Sequence, residues 1–315
     1  MNFFSSRDFL DAVAQSMFAG VPSAVETVEV DGRQFDTLYV RGRCQENLPF
    51  CDFLEPRAER VAKPKRHGFL PAVYQRTVGV GDYTPESLPG FGVAPYTDFS
   101  GFQSFEEFVK YASKRSSRAF EAQKRKRRKL EREVGETRVV LRAPVSDMHL
   151  VDLCMRWKSA QYQRSNYVDM FSSPKLQQLF RSLFERGAIA VSVLYAGDRP
   201  TAIHLGPATP QRFYYWVPSY DIELQGYSPG VVLMEELMRD SMQNGVREFD
   251  FLIGAEEYKF YYATHVRLIG QCGERPLHVR LWQRTRPFLM EQVRRNQNLY
   301  GLAQQLKRRW LERRL

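Results

Sequence analysis

Residues 249–259 read Phe-Asp-Phe-Leu-Ile-Gly-Ala-Glu-Glu-Tyr-Lys, and the change in character along this run sets the reading of the chain around it. Phe249, Phe251 and Ile253 alternate with their neighbours, the period-two pattern of a strand with one apolar face. Gly254 then permits a sharp turn of the backbone, and residues 258–264 are expected to form a short helix. Glu256 falls just beyond the strand end, followed by the phenol of Tyr258 and the amine of Lys259. A carboxylate there can take a proton, a phenol can return one, and an ammonium can neutralise a phosphate or a developing negative charge. Each has a plainer reading. Glu256 can cap the helix that follows, Tyr258 can pack, and Lys259 can pair with Glu256 or Glu257. Asp250, inside the strand, reads first as a hydrogen-bonded structural carboxylate and second as a substrate contact.

Moving upstream, Ser228-Pro229-Gly230 has the form of a helix start, with a capping serine and proline at the first helical position, and Gly245 closes the helix. Val231, Met234, Met238 and Met242 mark its inner face. Unpaired amides and the dipole at a helix start bind anions; Pro229 lacks an N–H, leaving those of Gly230, Val231 and Val232. An ordinary well-capped helix explains the same residues. Before it, strands at 188–195, 201–205 and 212–217 are separated by Gly197-Asp198-Arg199-Pro200 and by 207–211, an antiparallel meander. Strands at 266–272 and 277–282 close this half. Five histidines show no metal-ligand spacing, and His204 alone is kept, as a spare base on a strand facing the cleft.

In the first half, Ser6 caps a helix bearing Phe9, Leu10, Val13, Met17 and Phe18. Strands at 24–30 and 35–40 meet across Asp31-Gly32, and 43–105 reads as irregular chain with short strands. One long helix is expected over 105–133, ending at Gly135. A strand follows at 137–141, then helices at 144–159, entered through Ser146 and Asp147, and at 174–186, stopped by Gly187. The expected division is a first unit over 1–135, a catalytic unit over 136–285 and a basic C-terminal helix over 286–315.

The 315 residues carry a net charge of +10, with 43% hydrophobic and 26% charged residues, as in a soluble globular protein. No unbroken apolar run reaches membrane-spanning length, and the start has acidic Asp8 and Asp11 where a secretion signal is apolar, so a cytoplasmic location is expected. Cys44, Cys51, Cys154 and Cys272 are widely spread and read as reduced thiols. Much of the charge lies in Lys124-Arg125-Lys126-Arg127-Arg128-Lys129 and in 307–314. Such runs neutralise phosphates, but neither a nucleic-acid motif nor interleaved aromatics accompany the first, and nucleic acid is not an expected partner. Residues 306–311, amphipathic with Trp310, suit either an anionic membrane surface or a solvated terminal helix.

The run 249–259, with Tyr220-Asp221 and Ser228-Pro229-Gly230 ahead of it and a basic helix before them, resembles the F-D-F-x-x-G-x-E-x-Y-K signature of the CelD/BcsL-like acyltransferases, a GNAT group associated with bacterial polysaccharide synthesis. The resemblance covers residues 105–285. It implies an α+β fold, a GNAT-like mixed, mostly antiparallel sheet flanked by helices, with two such halves in tandem. It also implies transfer of an acyl group from acetyl-CoA or another acyl-CoA, without a metal, to an amine or hydroxyl of a sugar nucleotide, lipid-linked glycan or exopolysaccharide precursor. Glu256 would be the base, Tyr258 the acid or orienting group and Lys259 the electrostatic helper. Gln225, Ser228, Gly230, Val231 and Val232 would meet the CoA pyrophosphate, and Tyr220, Asp250 and His204 the substrate. Gln225 and Gly230 match the GNAT pattern Gln/Arg-x-x-Gly-x-Gly/Ala, whereas Ser228 stands where glycine is usual. Two other readings remain: a Fem-like transferase using aminoacyl-tRNA, and a non-catalytic accessory protein of polysaccharide synthesis.

Overall fold

A computed structural model describes residues 3–30, 33–40, 72–84, 92–165, 167, 169–271 and 285. In chain order these form α1 (Arg7–Met17), β1 (Ser23–Val30), β2 (Arg33–Val40), β3 (Ala72–Gly79), β4 (Gly92–Asp98), α2 (Phe105–Ser113), α3 (Ser117–Glu133), β5 (Thr137–Val140), α4 (Met148–Arg164), α5 (Pro174–Glu185), β6 (Ala190–Ala196), β7 (Arg199–Gly206), β8 (Arg212–Tyr214), β9 (Val217–Tyr220), α6 (Pro229–Gln243), β10 (Glu248–Asp250), α7 (Glu257–Tyr262) and β11 (His265–Gln271). The expected strand at 277–282, the terminal helix at 286–315 and three of the four cysteines lie outside the described residues.

Local signals place many of these elements. Ser6 Oγ accepts the Phe9 amide at the start of α1, and Gly187 and Gly245 take positive φ just beyond α5 and α6. The strands lie in a hairpin, β1-β2, and two larger sheets. One sheet is the antiparallel series β5-β6-β7-β9; the other has the order β3-β11-β4-β10-β8, in which only β10 and β8 run parallel. The second sheet takes β3 and β4 from before residue 136 and β8, β10 and β11 from after it. Strand β4 sits at its centre, in a stretch whose sequence reads as irregular. The result is a mixed, mostly antiparallel α+β fold flanked by helices.

Two apolar clusters cover the four-stranded sheet from opposite sides. On one, α1, α4 and α5 bury Phe9, Val151 and Phe180 with Val193, Ile203 and Leu205. On the other, α2, α3 and α6 bury Phe108, Phe120 and Met238 with Leu194, Ala202 and Phe249. With helices on both faces, residues 201–206 of β7 are buried without a break, which explains why that strand lacks alternation.

Three expectations change. The single helix over 105–133 is two, because Arg115 leaves the helical path between α2 and α3 to donate to the carbonyls of Tyr261 (3.1 Å) and Ala263 (2.6 Å), capping the end of α7. The strand over 212–217 divides at Tyr215 and Trp216, where the chain passes from one sheet to the other. The strand over 249–253 ends at Asp250, since Leu252 turns to φ 61° and Ile253 is exposed.

Candidate active site

The passage of the chain between sheets makes the site. Tyr215 still bonds β10, its amide donating to Asp250 O at 2.8 Å. One residue on, the Trp216 amide turns away and donates to His204 Nε2 at 3.1 Å, and β9 continues beside β7. The parting of β9 from the segment after β10 opens a cleft of about 890 Å3. Trp216, Pro218, Tyr220 and Gln225 lie on one side, and Leu252, Ile253, Glu256, Tyr258 and Lys259 on the other. Helix α4 adds Lys158, Gln161, Tyr162 and Arg164, and the chain after it adds Tyr167.

Glu256, Tyr258 and Lys259 therefore share one wall. The Glu256 carboxylate lies 2.9 Å from Lys259 Nζ, which also donates to Ile253 O at 3.3 Å. Gly254, at φ 151°, makes this possible: a Cβ there would lie 2.1 Å from Glu256 Oε2 and 2.6 Å from Lys259 Nζ. Glu256 is exposed while Lys259 is buried. Burial, and then the neighbouring Glu256 charge, push the Tyr258 phenol above its ordinary pKa, so it is protonated at neutral pH. The wall thus combines a reachable carboxylate, a protonated phenol and a fixed cation.

Asp250 is placed apart from them, fully buried in β10. Its Oδ2 meets Arg267 Nη1 at 2.9 Å, and its Oδ1 accepts the Leu252 amide at 2.9 Å, which holds Leu252 in its left-handed conformation. Arg267 also bonds Glu248 and lies 3.7 Å over the Tyr96 ring. These bonds belong to the fold. His204 does not line the cleft; it is buried and stacked on Tyr215, and burial lowers its pKa to about 3. As a neutral acceptor it satisfies the amide exposed where the sheets part, and it is not placed to serve as a base.

At the start of α6, Ser228 has φ 53° and ψ 49°, the left-handed region that glycine enters freely. Three contacts hold it there: Lys126 Nζ donates to Ser228 Oγ at 2.9 Å, Gln123 Nε2 to Ser228 O at 3.4 Å, and the Ser228 amide to Gln225 O at 3.0 Å. Of the three amides expected to face an anion, those of Val231 and Val232 donate to Ser228 O at 3.0 and 3.4 Å, the bonds that the carbonyl at a helix start ordinarily accepts. The Gly230 amide, one residue earlier, is left for a ligand, and its Cα packs close enough to Tyr220 that a Cβ would lie 3.3 Å from the ring.

The basic run finds its place here. In α3, Phe120, Gln123 and Leu130 are buried toward α6, and Lys126 and Arg127 are half-buried beside them. Arg127 pairs with Glu236 of α6 at 2.7 Å, while Lys124, Arg125, Arg128 and Lys129 stay exposed. Lys126 adds a cation to the α6 start that the sequence could not assign to it. Lys158 is the other unforeseen group. Its Nζ donates to Pro218 O at 2.9 Å beside the cleft, and burial lowers its pKa, with Cys154 and Glu256 opposing and Lys259 reinforcing that shift. No motif surrounds it; the only sequence signal is the four- and seven-residue spacing of Cys154, Lys158 and Gln161 along one helix face.

Residues 117–260 match the acetyltransferase (GNAT) domain family. This segment is a GNAT-type acyltransferase domain. It contains the α6 start and the whole wall from Glu256 to Lys259. A comparison with curated proteins returns no match. Among solved structures, FemX superposes over 90% of this chain and 98% of its own, with a TM-score of 0.50 at 11% identity, a likeness of fold alone. A conserved protein of unknown function from Bacteroides thetaiotaomicron (TM-score 0.48, 10% identity, 86% and 92% covered) and a tandem GNAT protein from the clavulanic acid biosynthesis pathway (0.35, 10%, 85% and 95%) are looser likenesses.

Proposed function

We propose that this GNAT acyltransferase uses acetyl-CoA or another acyl-CoA to acylate an amine or hydroxyl of a sugar nucleotide, lipid-linked glycan or exopolysaccharide precursor, as in the CelD/BcsL-like group. The observation that carries this reading is the continuity of the cleft. It runs from Gln225 and Tyr220, beside the α6 start, to the Glu256–Lys259 wall. A donor bound with its phosphates at Gly230 and Lys126 would reach the base with its thioester. Glu256 takes the acceptor proton, Tyr258 protonates the departing thiolate, and Lys259 holds Glu256 in place. Tyr167, exposed at the cleft, offers a face on which a sugar ring can stack, and Arg164 and Lys158 favour an acceptor bearing negative charge. A lipid-linked acceptor would place the protein in the cytoplasm at the inner face of a membrane.

Serine at 228, where glycine is usual, and the N–H missing at Pro229 favour a second reading, a Fem-like transfer from aminoacyl-tRNA. There the exposed basic face of α3 would meet RNA phosphates. Thermal-shift and calorimetric titration with CoA, acetyl-CoA and longer acyl-CoAs separates the two. A ligand at a hundredfold its Kd stabilises the native state by about 2.7 kcal/mol. That stabilisation should vanish in Gly230→Trp, whose side chain enters the space beside Tyr220. No shift with any CoA species at millimolar concentration, beside a shift with aminoacyl-tRNA, would replace the first reading by the second.

A further inference from the structure

Strand β9 is the outer strand of its sheet and borders the cleft. An outer strand presents backbone donors and acceptors to whatever lies alongside. On β9 the acceptors are met from α4: Lys158 Nζ donates to Pro218 O at 2.9 Å, and Gln161 Nε2 to Tyr220 O at 3.0 Å. These contacts identify Pro218 and Tyr220 as the residues whose backbone turns away from β7. In a strand the N–H and C=O of one residue point to the same side, and proline has no N–H. The cleft edge of β9 therefore lacks a donor at residue 218, and the ammonium of Lys158 sits at that residue instead.

Acyl transfer calls for a fixed donor facing the cleft. As the acceptor nitrogen or oxygen adds to the thioester carbon, the new bond forms, the carbonyl π pair moves onto oxygen, and the acceptor proton passes to Glu256. Collapse restores the carbonyl, breaks the carbon–sulfur bond, and the thiolate takes its proton from Tyr258. The transient oxyanion is stabilised by donors already fixed in place. We infer that Lys158 is a catalytic residue, its ammonium held on the Pro218 carbonyl in place of the missing amide and donating to the oxyanion. An ammonium has three donors; Pro218 takes one, and the Tyr162 ring lies 5.5 Å from the ammonium. Lys259, on the opposite wall, is engaged by Glu256 and Ile253 O, which ties it to the base. This assignment rests on the acyltransferase reading above.

The test is thiol release from acetyl-CoA by the full-length protein, with glucosamine as probe acceptor and water alone as the comparison, alongside calorimetric binding of acetyl-CoA. Lys158→Met should lower kcat by about 100-fold, with the acetyl-CoA Kd within about threefold of wild type. Lys158→Arg, which keeps a cationic donor, should retain more activity than Lys158→Met and serves if the methionine variant folds poorly. Pro218→Ala combined with Lys158→Met restores a backbone N–H at the same edge and should recover about tenfold of the lost kcat. A kcat for Lys158→Met within threefold of an active wild type overturns the assignment and leaves the acyltransferase reading standing. So does a loss that neither Lys158→Arg nor Pro218→Ala relieves. A wild-type protein that neither binds nor cleaves acetyl-CoA overturns both.

Discussion

Two carboxylates six residues apart in the same short segment have opposite surroundings. Asp250 has 1% of its side chain exposed and bonds Arg267 and the Leu252 amide; Glu256 has 57% exposed and faces a cleft with one lysine partner. Asp250 lies where β10 is sandwiched between β4 and β8. Glu256 lies after the chain has left the sheet. The same chemical group thus serves the fold at one end of the segment and is available to a substrate at the other. What separates them is burial, which makes an unpaired charge costly in one place and leaves a carboxylate reachable by a proton in the other.

Substitutions sharpen this contrast. Asp250→Ala should destabilise the protein by about 3–5 kcal/mol, because Arg267 stays buried with one carboxylate partner fewer. Urea unfolding measures this, and a loss below about 1 kcal/mol would break the structural side of the comparison. Glu256→Gln should leave the urea midpoint almost unchanged and lower kcat with acetyl-CoA by about 100-fold; an active Glu256→Gln would break the other side. Gly254→Ala joins the two ends. Its Cβ would displace both Glu256 and Lys259, and the position has positive φ. A loss of about 1–2 kcal/mol of stability should come with lost activity, and full activity would show that the Glu256–Lys259 pair is dispensable.

The last effect concerns pH. His204 has a folded pKa of about 3 against an ordinary value of 6.5. Below pH 6.5 the unfolded chain binds a proton that the folded chain refuses. Its contribution is therefore complete above pH 6.5 and falls as pH drops toward 3, by about 1.4 kcal/mol per unit. His204→Gln, which retains an acceptor for the Trp216 amide, should flatten the pH dependence of stability between 6 and 4. Unfolding midpoints across that range check it, and an unchanged slope would show that another group governs acid sensitivity.

Much of the framework is legible without coordinates. The α1 cap at Ser6, the helix from Pro229 and the glycines that end α5 and α6 are local signals, and each falls within a few residues of its expected place. The grouping of Glu256 with Lys259 is also local, since one helical turn joins them. Strand β4 falls among the short strands expected over 43–105, but its central place is not legible there because it depends on pairing with β10 and β11, some 150 residues later. The division between α2 and α3 was missed because its cause is Arg115 reaching the end of α7.

The sequence by itself determined the elements whose caps, periods and turns lie within a few residues, and the short segment whose residue types suggest acyl transfer. Only the tertiary structure decided that Asp250 is buried and paired, that His204 holds the Trp216 amide, that Lys126 meets the start of α6, and that Lys158 stands at the proline of β9. Each of those roles is a contact between residues distant along the chain. A residue type names the charge and the donors a side chain brings; only packing decides whether they are met by the protein or left to face a substrate.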